Sequence, residues 1–232
     1  MRLLGVLGGM SWTSTELYYR GLNTGVAARL GGLHSARLLL HSVDFAPVAQ
    51  AQHAGDWEAT AALLGSAARG LAAGGAEALM IATNTMHKVA GAVEEAAGIP
   101  LLHIADPTAE ALLRGGHRRV GLLATRFTME QAFYVERLRA QGLEVVTPDP
   151  ADRELVHRVI YDELVHDVVR PASREAYLGV VGRLVGEGVE AVVLGCTEIG
   201  LLVHDGDAAV PLVDTTALHV AAGVDWLCAT PG

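Results

Sequence analysis

The chain has 232 residues, enough for one large domain or two small ones, each able to bury a real core. Apolar residues make up 51% and aromatics only 5%, so the interior is built from Ala, Leu and Val, as in strands covered by packed helices. The formal charge of −9 argues against nucleic acid and anionic membranes as partners, since both draw basic patches.

Short apolar runs alternate with longer Ala/Leu-rich stretches along the chain. Leu3–Leu7, Ala36–Leu40, Ala78–Ile81, Leu101–Ile104, Val120–Ala124, Glu144–Thr147, Ala191–Leu194 and Val210–Val213 read as strands. Continuous apolar runs of this length fit strands buried on both faces of a parallel sheet. Helical patterns fall between them: Asp56–Ala73, closed by Gly74-Gly75; Thr128–Gln141, closed by Gly142; and Ser173–Glu187, closed by Gly188. Such alternation implies βαβ units and an α/β fold. Pro-Asp-Pro at 148–150 reads as a linker with turn chemistry, and Gly115–Arg119 as a basic solvated loop. No apolar run reaches the ~18 residues of a membrane span. The N-terminus starts a strand without a signal-peptide plan, and only Cys196 and Cys228 are present, too few for a disulfide framework. The expectation is a soluble, cytoplasmic protein.

The chain also repeats itself. Gly75-Ala76-Glu77-Ala78-Leu79-Met80-Ile81 precedes Ala82-Thr83-Asn84-Thr85-Met86-His87-Lys88, and Gly188-Val189-Glu190-Ala191-Val192-Val193-Leu194 precedes Gly195-Cys196-Thr197-Glu198. Positions 83 and 196 are 113 apart. Gly5-Val6-Leu7-Gly8-Gly9 resembles Gly121-Leu122-Leu123-Ala124-Thr125 at a similar offset. Two pairs at nearly one spacing predict duplicated halves: residues 1–101 with 211–232 as one α/β lobe, and 102–210 as the other. The last strand and helix, within Val210–Cys228, are expected to return to the first half.

In open parallel sheets ligands collect beyond the carboxyl ends of the strands. Thr83 and Cys196 occupy such ends, as do Gly8–Ser11 and Thr125. A helix starting after each end offers free N–H groups and partial positive charge, which holds a carboxylate and favours a thiolate at Cys196. The polar setting of Cys196, between Gly195 and Thr197-Glu198, separates it from Cys228, which reads as core packing. Thr83, Asn84 and Thr85 also suit helix capping, a role compatible with ligand binding. A thiol with hydroxyls and amides at facing strand ends suits proton transfer at carbon.

These paired motifs resemble the aspartate/glutamate racemase superfamily, and the resemblance runs nearly end to end. Leu7-Gly8-Gly9-Met10-Ser11-Trp12 and Glu198-Ile199-Gly200 are similar to its aspartate-racemase branch. The resemblance implies two Rossmann-like lobes, each a mainly parallel sheet flanked by helices, with an active site in the cleft between them. It implies an isomerase without pyridoxal phosphate, metal or other cofactor, acting on a small amino acid and commonly forming a homodimer. Two family thiols move the α-proton from one face to the other. Here the first is replaced by Thr83, as in a subgroup that looks specific for L-aspartate and L-glutamate. The resemblance then implies that Cys196 deprotonates the L substrate while Thr83, or a water it holds, serves the opposite face. It also implies substrate contacts from Met10, Gln52, Asn84 and Thr85 on one side and from Thr125, Thr197 and Glu198 on the other, with Glu198 facing the ammonium.

Two departures widen the substrate range. Aspartate racemases commonly carry Arg at the position of Phe45, after Asp44, and Lys near Val165. Without those cations a broad-specificity racemase fits as well. Loss of one thiol also leaves open a one-cysteine decarboxylase of malonate type, or an amino-acid-binding protein without turnover. The ten histidines form no zinc-type spacing, and His87 is expected near the cleft without being a ligand. Gly5-x-x-Gly8-Gly9 falls short of a dinucleotide fingerprint.

Overall fold

The computed structural model describes residues 1–229, and the chain divides into two compact units. One comprises Met1–Ile104 together with the described residues from His219 onward; the other is Ala105–Leu218. The last three residues of the predicted 211–232 segment lie outside the described ones. Among the described residues no helix is long and apolar enough to cross a membrane.

The first unit runs β1 (Leu4–Gly8), α1 (Trp12–Leu30), β2 (Leu38–Ser42), α2 (Phe45–Ala54), α3 (Trp57–Ala73), β3 (Ala78–Ile81), a 3-10 turn (Thr85–Val89) and α4 (Ala90–Ala97). Its parallel sheet has the order β2-β1-β3. Alternate side chains of β1 and β3 enter opposite cores. Leu7, Leu79 and Ile81 pack with Leu64, Leu71 and Val93, whereas Leu4, Val6, Ala78 and Met80 pack with Tyr18, Leu22 and Leu227. Two-sided burial is why these strands read as unbroken apolar runs. Each fully buried leucine or isoleucine contributes roughly 1.5–3 kcal/mol.

The second unit runs α5 (Ala105–Arg114), β4 (Arg119–Ala124), α6 (Arg126–Glu130), α7 (Ala132–Ala140), β5 (Glu144–Val146), α8 (Pro150–Asp162), a 3-10 turn (Leu164–His166), α9 (Pro171–Gly186), β6 (Ala191–Gly195), a 3-10 turn (Ile199–Leu201), β7 (Leu212–Asp214) and α10 (Thr215–Cys228). From His219 on, α10 belongs to the first unit. The parallel sheet order is β5-β4-β6-β7. Its first three strands repeat the order of the first sheet, with β1, β2 and β3 matched by β4, β5 and β6.

The structure corrects several expectations. Leu101–Ile104 is not a strand: Leu101 makes one bridge to Leu79, flanked by Leu79 N–H to Pro100 O and Leu102 N–H to Leu79 O, and the chain then enters α5. The strand expected to return to the first half stays in the second, because β7 pairs with β6 from Val192–Leu212 to Leu194–Asp214. Thr128–Gln141 is two helices, broken where Gln131 turns extended with ψ 143°. Pro-Asp-Pro at 148–150 is a helix start: Asp149 accepts from the Asp152 N–H at 2.9 Å, and Pro150 takes the first-turn position, where its missing N–H costs nothing. The helical pattern Asp56–Ala73 becomes α3 from Trp57, with Asp56 as its cap, accepting from the Ala59 N–H at 2.9 Å.

A buried polar network ties the first unit together. The Tyr18 hydroxyl donates to His219 Nδ1 at 2.8 Å, and His219 Nε2–H donates to the Leu102 carbonyl at 2.7 Å. A carbonyl only accepts, which assigns the proton to Nε2 and leaves Nδ1 as the acceptor. Burial, and next the nearby His87, push the His219 pKa down to about 3. An unfolded histidine takes a proton near pH 6.5, so this neutral ring stabilises the fold fully above that pH, and its contribution fades as the pH falls toward 3.

Two stability predictions follow from these features. Between about pH 4 and 6.5 the unfolding free energy of the wild type should rise with pH more steeply than that of His219→Gln, by up to ~1.4 kcal/mol per pH unit. Urea titrations across that range measure it, and parallel curves would refute the assignment. Gly9 has φ +92°, and a Cβ there would lie 2.3 Å from the Val43 carbonyl oxygen. Gly9→Ala should therefore cost about 2 kcal/mol or more, read as a lower urea midpoint.

Candidate active site

Parallel pairing aligns the strand ends within each unit. In the first, Leu7 pairs with Ile81, and the Ala82 N–H continues the ladder to the Leu7 carbonyl at 2.9 Å. The segments 8–11 and 82–85 therefore leave neighbouring strands at the same edge. Gly8 and Gly9 let the first segment turn tightly over α1. The Gly9 N–H donates to Thr15 Oγ1 at 2.7 Å, and that hydroxyl donates to the Ser11 carbonyl at 2.8 Å. A Cβ on Gly8 would meet Thr15 at 2.5 Å. Ser11 caps α1. Met10, Asn84 and Thr85 are buried beyond the strand ends, Thr83 is half-buried, and Gln52 is buried on α2. Thus Met10, Thr83, Asn84 and Thr85 share the carboxyl edge of β1 and β3.

Thr83 is held by its backbone. The His87 N–H bonds the Asn84 carbonyl at 3.1 Å in 3-10 fashion, and the His87 ring bonds the Thr83 carbonyl at 2.8 Å. Beyond β3 the chain makes a 3-10 turn, not the α-helix start expected from sequence; α4 begins only at Ala90.

In the second unit Ala124 pairs with Gly195, so Thr125 and Cys196 follow paired residues on adjacent strands. Thr125 takes the N-cap position of α6, its carbonyl accepting from Thr128 and Met129. Cys196, Thr197 and Glu198 are all buried. Glu198 Oε2 accepts two hydrogen bonds, from Cys196 Sγ at 3.0 Å and from Thr197 Oγ1 at 2.6 Å. The Thr215 hydroxyl donates to the Leu194 carbonyl at 2.8 Å, tying the last turn of β6 to α10.

The electrostatics overturn the expected thiolate. Burial first, then the Glu198 carboxylate, hold the Cys196 thiol well above its ordinary range; backbone N–H groups of Glu198 and Thr197 oppose this only in part. A three-residue 3-10 turn follows Cys196 in place of an α-helix, so there is no macrodipole to offset the burial. The resting sulfur is a neutral thiol that donates to a carboxylate. A neutral thiol of this kind can donate a proton to a carbanion.

Tyr177 escaped the sequence reading. It lies inside α9, fully buried, with its hydroxyl donating to the Val156 carbonyl at 2.7 Å. Burial and then the negative charge of an ionised Cys196 raise its pKa well above 10. A tyrosine in a helical pattern carries no sequence signal of this proximity. Phe45 opens α2 and packs against the apolar cluster around Met10, and Val165 sits in the Leu164–His166 turn. Both cysteines are free.

Comparison with known proteins matches this architecture. The family profile for Asp/Glu/hydantoin racemases matches residues 7–223. A candidate Asp/Glu racemase from Yersinia pestis is 51% identical, with a TM-score of 0.92 over 99% of this chain and 100% of that one. An aspartate racemase homologue from Pyrococcus horikoshii is 31% identical, with a TM-score of 0.84 over the same shares. A glutamate racemase from Neisseria meningitidis is 29% identical over 148 residues, 62% of this chain and 51% of that protein. With two parallel sheets flanked by helices and a match over nearly its whole length, the chain belongs to the Asp/Glu/hydantoin racemase family.

Proposed function

We propose that this protein is a cofactor-independent amino-acid racemase acting on L-aspartate or L-glutamate. The observation that carries the reading is the buried Cys196–Glu198 pair at the carboxyl end of β6. Glu198 Oε2 takes the thiol proton, leaving a sulfur anion. That anion accepts the α-proton of the L substrate as the Cα–H bond breaks. The carbanion then takes a proton on its other face from Thr83 Oγ1, or from a water that Thr83 holds; solvent returns a proton to that donor while Glu198 releases its own, which restores the starting thiol and carboxylate. A hydroxyl is too weak an acid to rest ionised near neutral pH, which makes the two faces unequal. Met10, Gln52, Asn84 and Thr85 hold the α-carboxylate, while Thr125 and Thr197 line the Cys196 side. The active protein is proposed to be a cytoplasmic homodimer.

A second reading has its own support. A protonated thiol at rest is what a one-cysteine decarboxylase of malonate type needs to quench an enolate-like carbanion. Phe45 and Val165 supply no cation for a distal carboxylate, which keeps a broader amino-acid range in view.

Proton NMR in deuterated buffer separates these readings. Wild-type protein should wash out the α-proton of L-aspartate or L-glutamate and form the D enantiomer, and Cys196→Ser should slow washout at least about 100-fold. Carbon dioxide release from a malonate without racemisation would favour the decarboxylase. Washout persisting in Cys196→Ser would end the proposed role of the sulfur. Glu198→Gln, made in a Cys228→Ser background, removes the neighbouring negative charge. The ultraviolet thiolate absorbance of Cys196 should then appear at lower pH than with Glu198 intact. An unchanged or higher midpoint would contradict the electrostatic account.

A further inference from the structure

We infer that His87 is a positioning residue for Thr83, acting through a ring fixed at both nitrogens. The inference rests on the role proposed for Thr83, and it starts from a question of backbone accounting. In an α-helical turn the N–H of residue 87 would bond the carbonyl of residue 83. Here that N–H goes to the Asn84 carbonyl at 3.1 Å, and the His87 Nδ1 takes the Thr83 carbonyl at 2.8 Å. The imidazole thus occupies the place of a helical backbone donor.

The other nitrogen leaves the ring no choice of tautomer. The Ile104 N–H donates to His87 Nε2 at 3.3 Å. A backbone N–H can only donate, so Nε2 carries no proton and the neutral ring carries it on Nδ1, facing Thr83. Neighbouring rings confine the imidazole further, with His103 at 4.4 Å between centroids and His219 at 5.8 Å, both edge-on. His87, His103 and His219 are all buried. His219 is itself pinned between Tyr18 and Leu102. Thr83 stands just past the last ladder bond of β3, in a bend at 82–84. Its orientation is therefore set by a side chain four residues on, which Ile104 holds in turn. This gives a function to the histidine in Asn84-Thr85-Met86-His87 that no metal or proton-transfer role explains.

The two ring nitrogens can be tested separately. Asparagine at 87 places an amide N–H near the Nδ1 position and can keep the Thr83 carbonyl. Glutamine places its oxygen near Nε2 and can keep only Ile104. Alanine keeps neither. Hydrogen–deuterium exchange over residues 82–89 reads the positioning directly and needs no catalysis. Exchange should rise about tenfold in His87→Ala and His87→Gln and stay near wild type in His87→Asn.

Turnover adds a readout that general destabilisation would not move. Washout of the L α-proton depends on Cys196 and should stay within about threefold of wild type in all three variants. Formation of the D enantiomer depends on Thr83 and should fall at least about tenfold in His87→Ala and His87→Gln while His87→Asn retains it. Unchanged exchange at 82–89 in His87→Ala, or His87→Asn failing as badly as His87→Ala in exchange or turnover, would overturn the inference. So would washout and D formation falling together. A wild type inert toward both amino acids would sink the racemase reading instead, and the exchange comparison alone would then decide the role of His87.

Discussion

The parallel register of the central strands is the constraint from which the rest of the structure derives. β1 with β3, and β4 with β6, run side by side in the same direction, and each pair stops at one edge. Parallel strands cannot be joined by tight turns, so each must hand over to a crossover segment at that edge. The residues that open these segments are consequently gathered there: Met10 beside Thr83–Thr85 in one unit, and Thr125 beside Cys196–Glu198 in the other. Two-sided apolar burial holds the register, because a slip by one residue would exchange the two cores that β1 and β3 serve.

Local polar geometry then sets the chemistry at each edge. Beyond β6 one carboxylate oxygen accepts hydrogen bonds from both its neighbours, Cys196 and Thr197. Burial and the neighbouring carboxylate push the Cys196 pKa up, so the sulfur rests as a thiol. Beyond β3 the His87 imidazole bonds the Thr83 carbonyl and takes the place of a helical backbone donor.

The neutral histidines belong to the same account. His219 is buried among Tyr18, His87 and the Leu102 carbonyl, and its tautomer follows from the obligate roles of those partners. Burial and the neighbouring His87 disfavour a charged His219 ring, which keeps it neutral down to about pH 3. This is a structural use of titratable groups: they specify a unique packing beneath the Thr83 bend and add no charge to it.

The sequence by itself determined the α/β class, most strand positions, the duplicated plan, the family and the strand-end residues to watch. These features follow from short-range rules: apolar runs mark strands buried on both faces, Gly and capping residues mark helix ends, and the Thr83 and Cys196 motifs stand at fixed offsets from their strands. The tertiary structure decided what depends on partners distant in the chain or on a choice between near-equal local conformations. It assigned Leu212–Asp214 to the second sheet, because strand pairing is a choice among edges that no local pattern encodes. It made 3-10 turns after Thr83 and Cys196, a distinction of one hydrogen-bond step that composition does not resolve. It brought Tyr177 and Tyr18 to their buried partners from the middle of helices. It also reversed the expected state of Cys196, since a thiol's acidity depends on burial and on the distance to a carboxylate, quantities that exist only once the chain has packed.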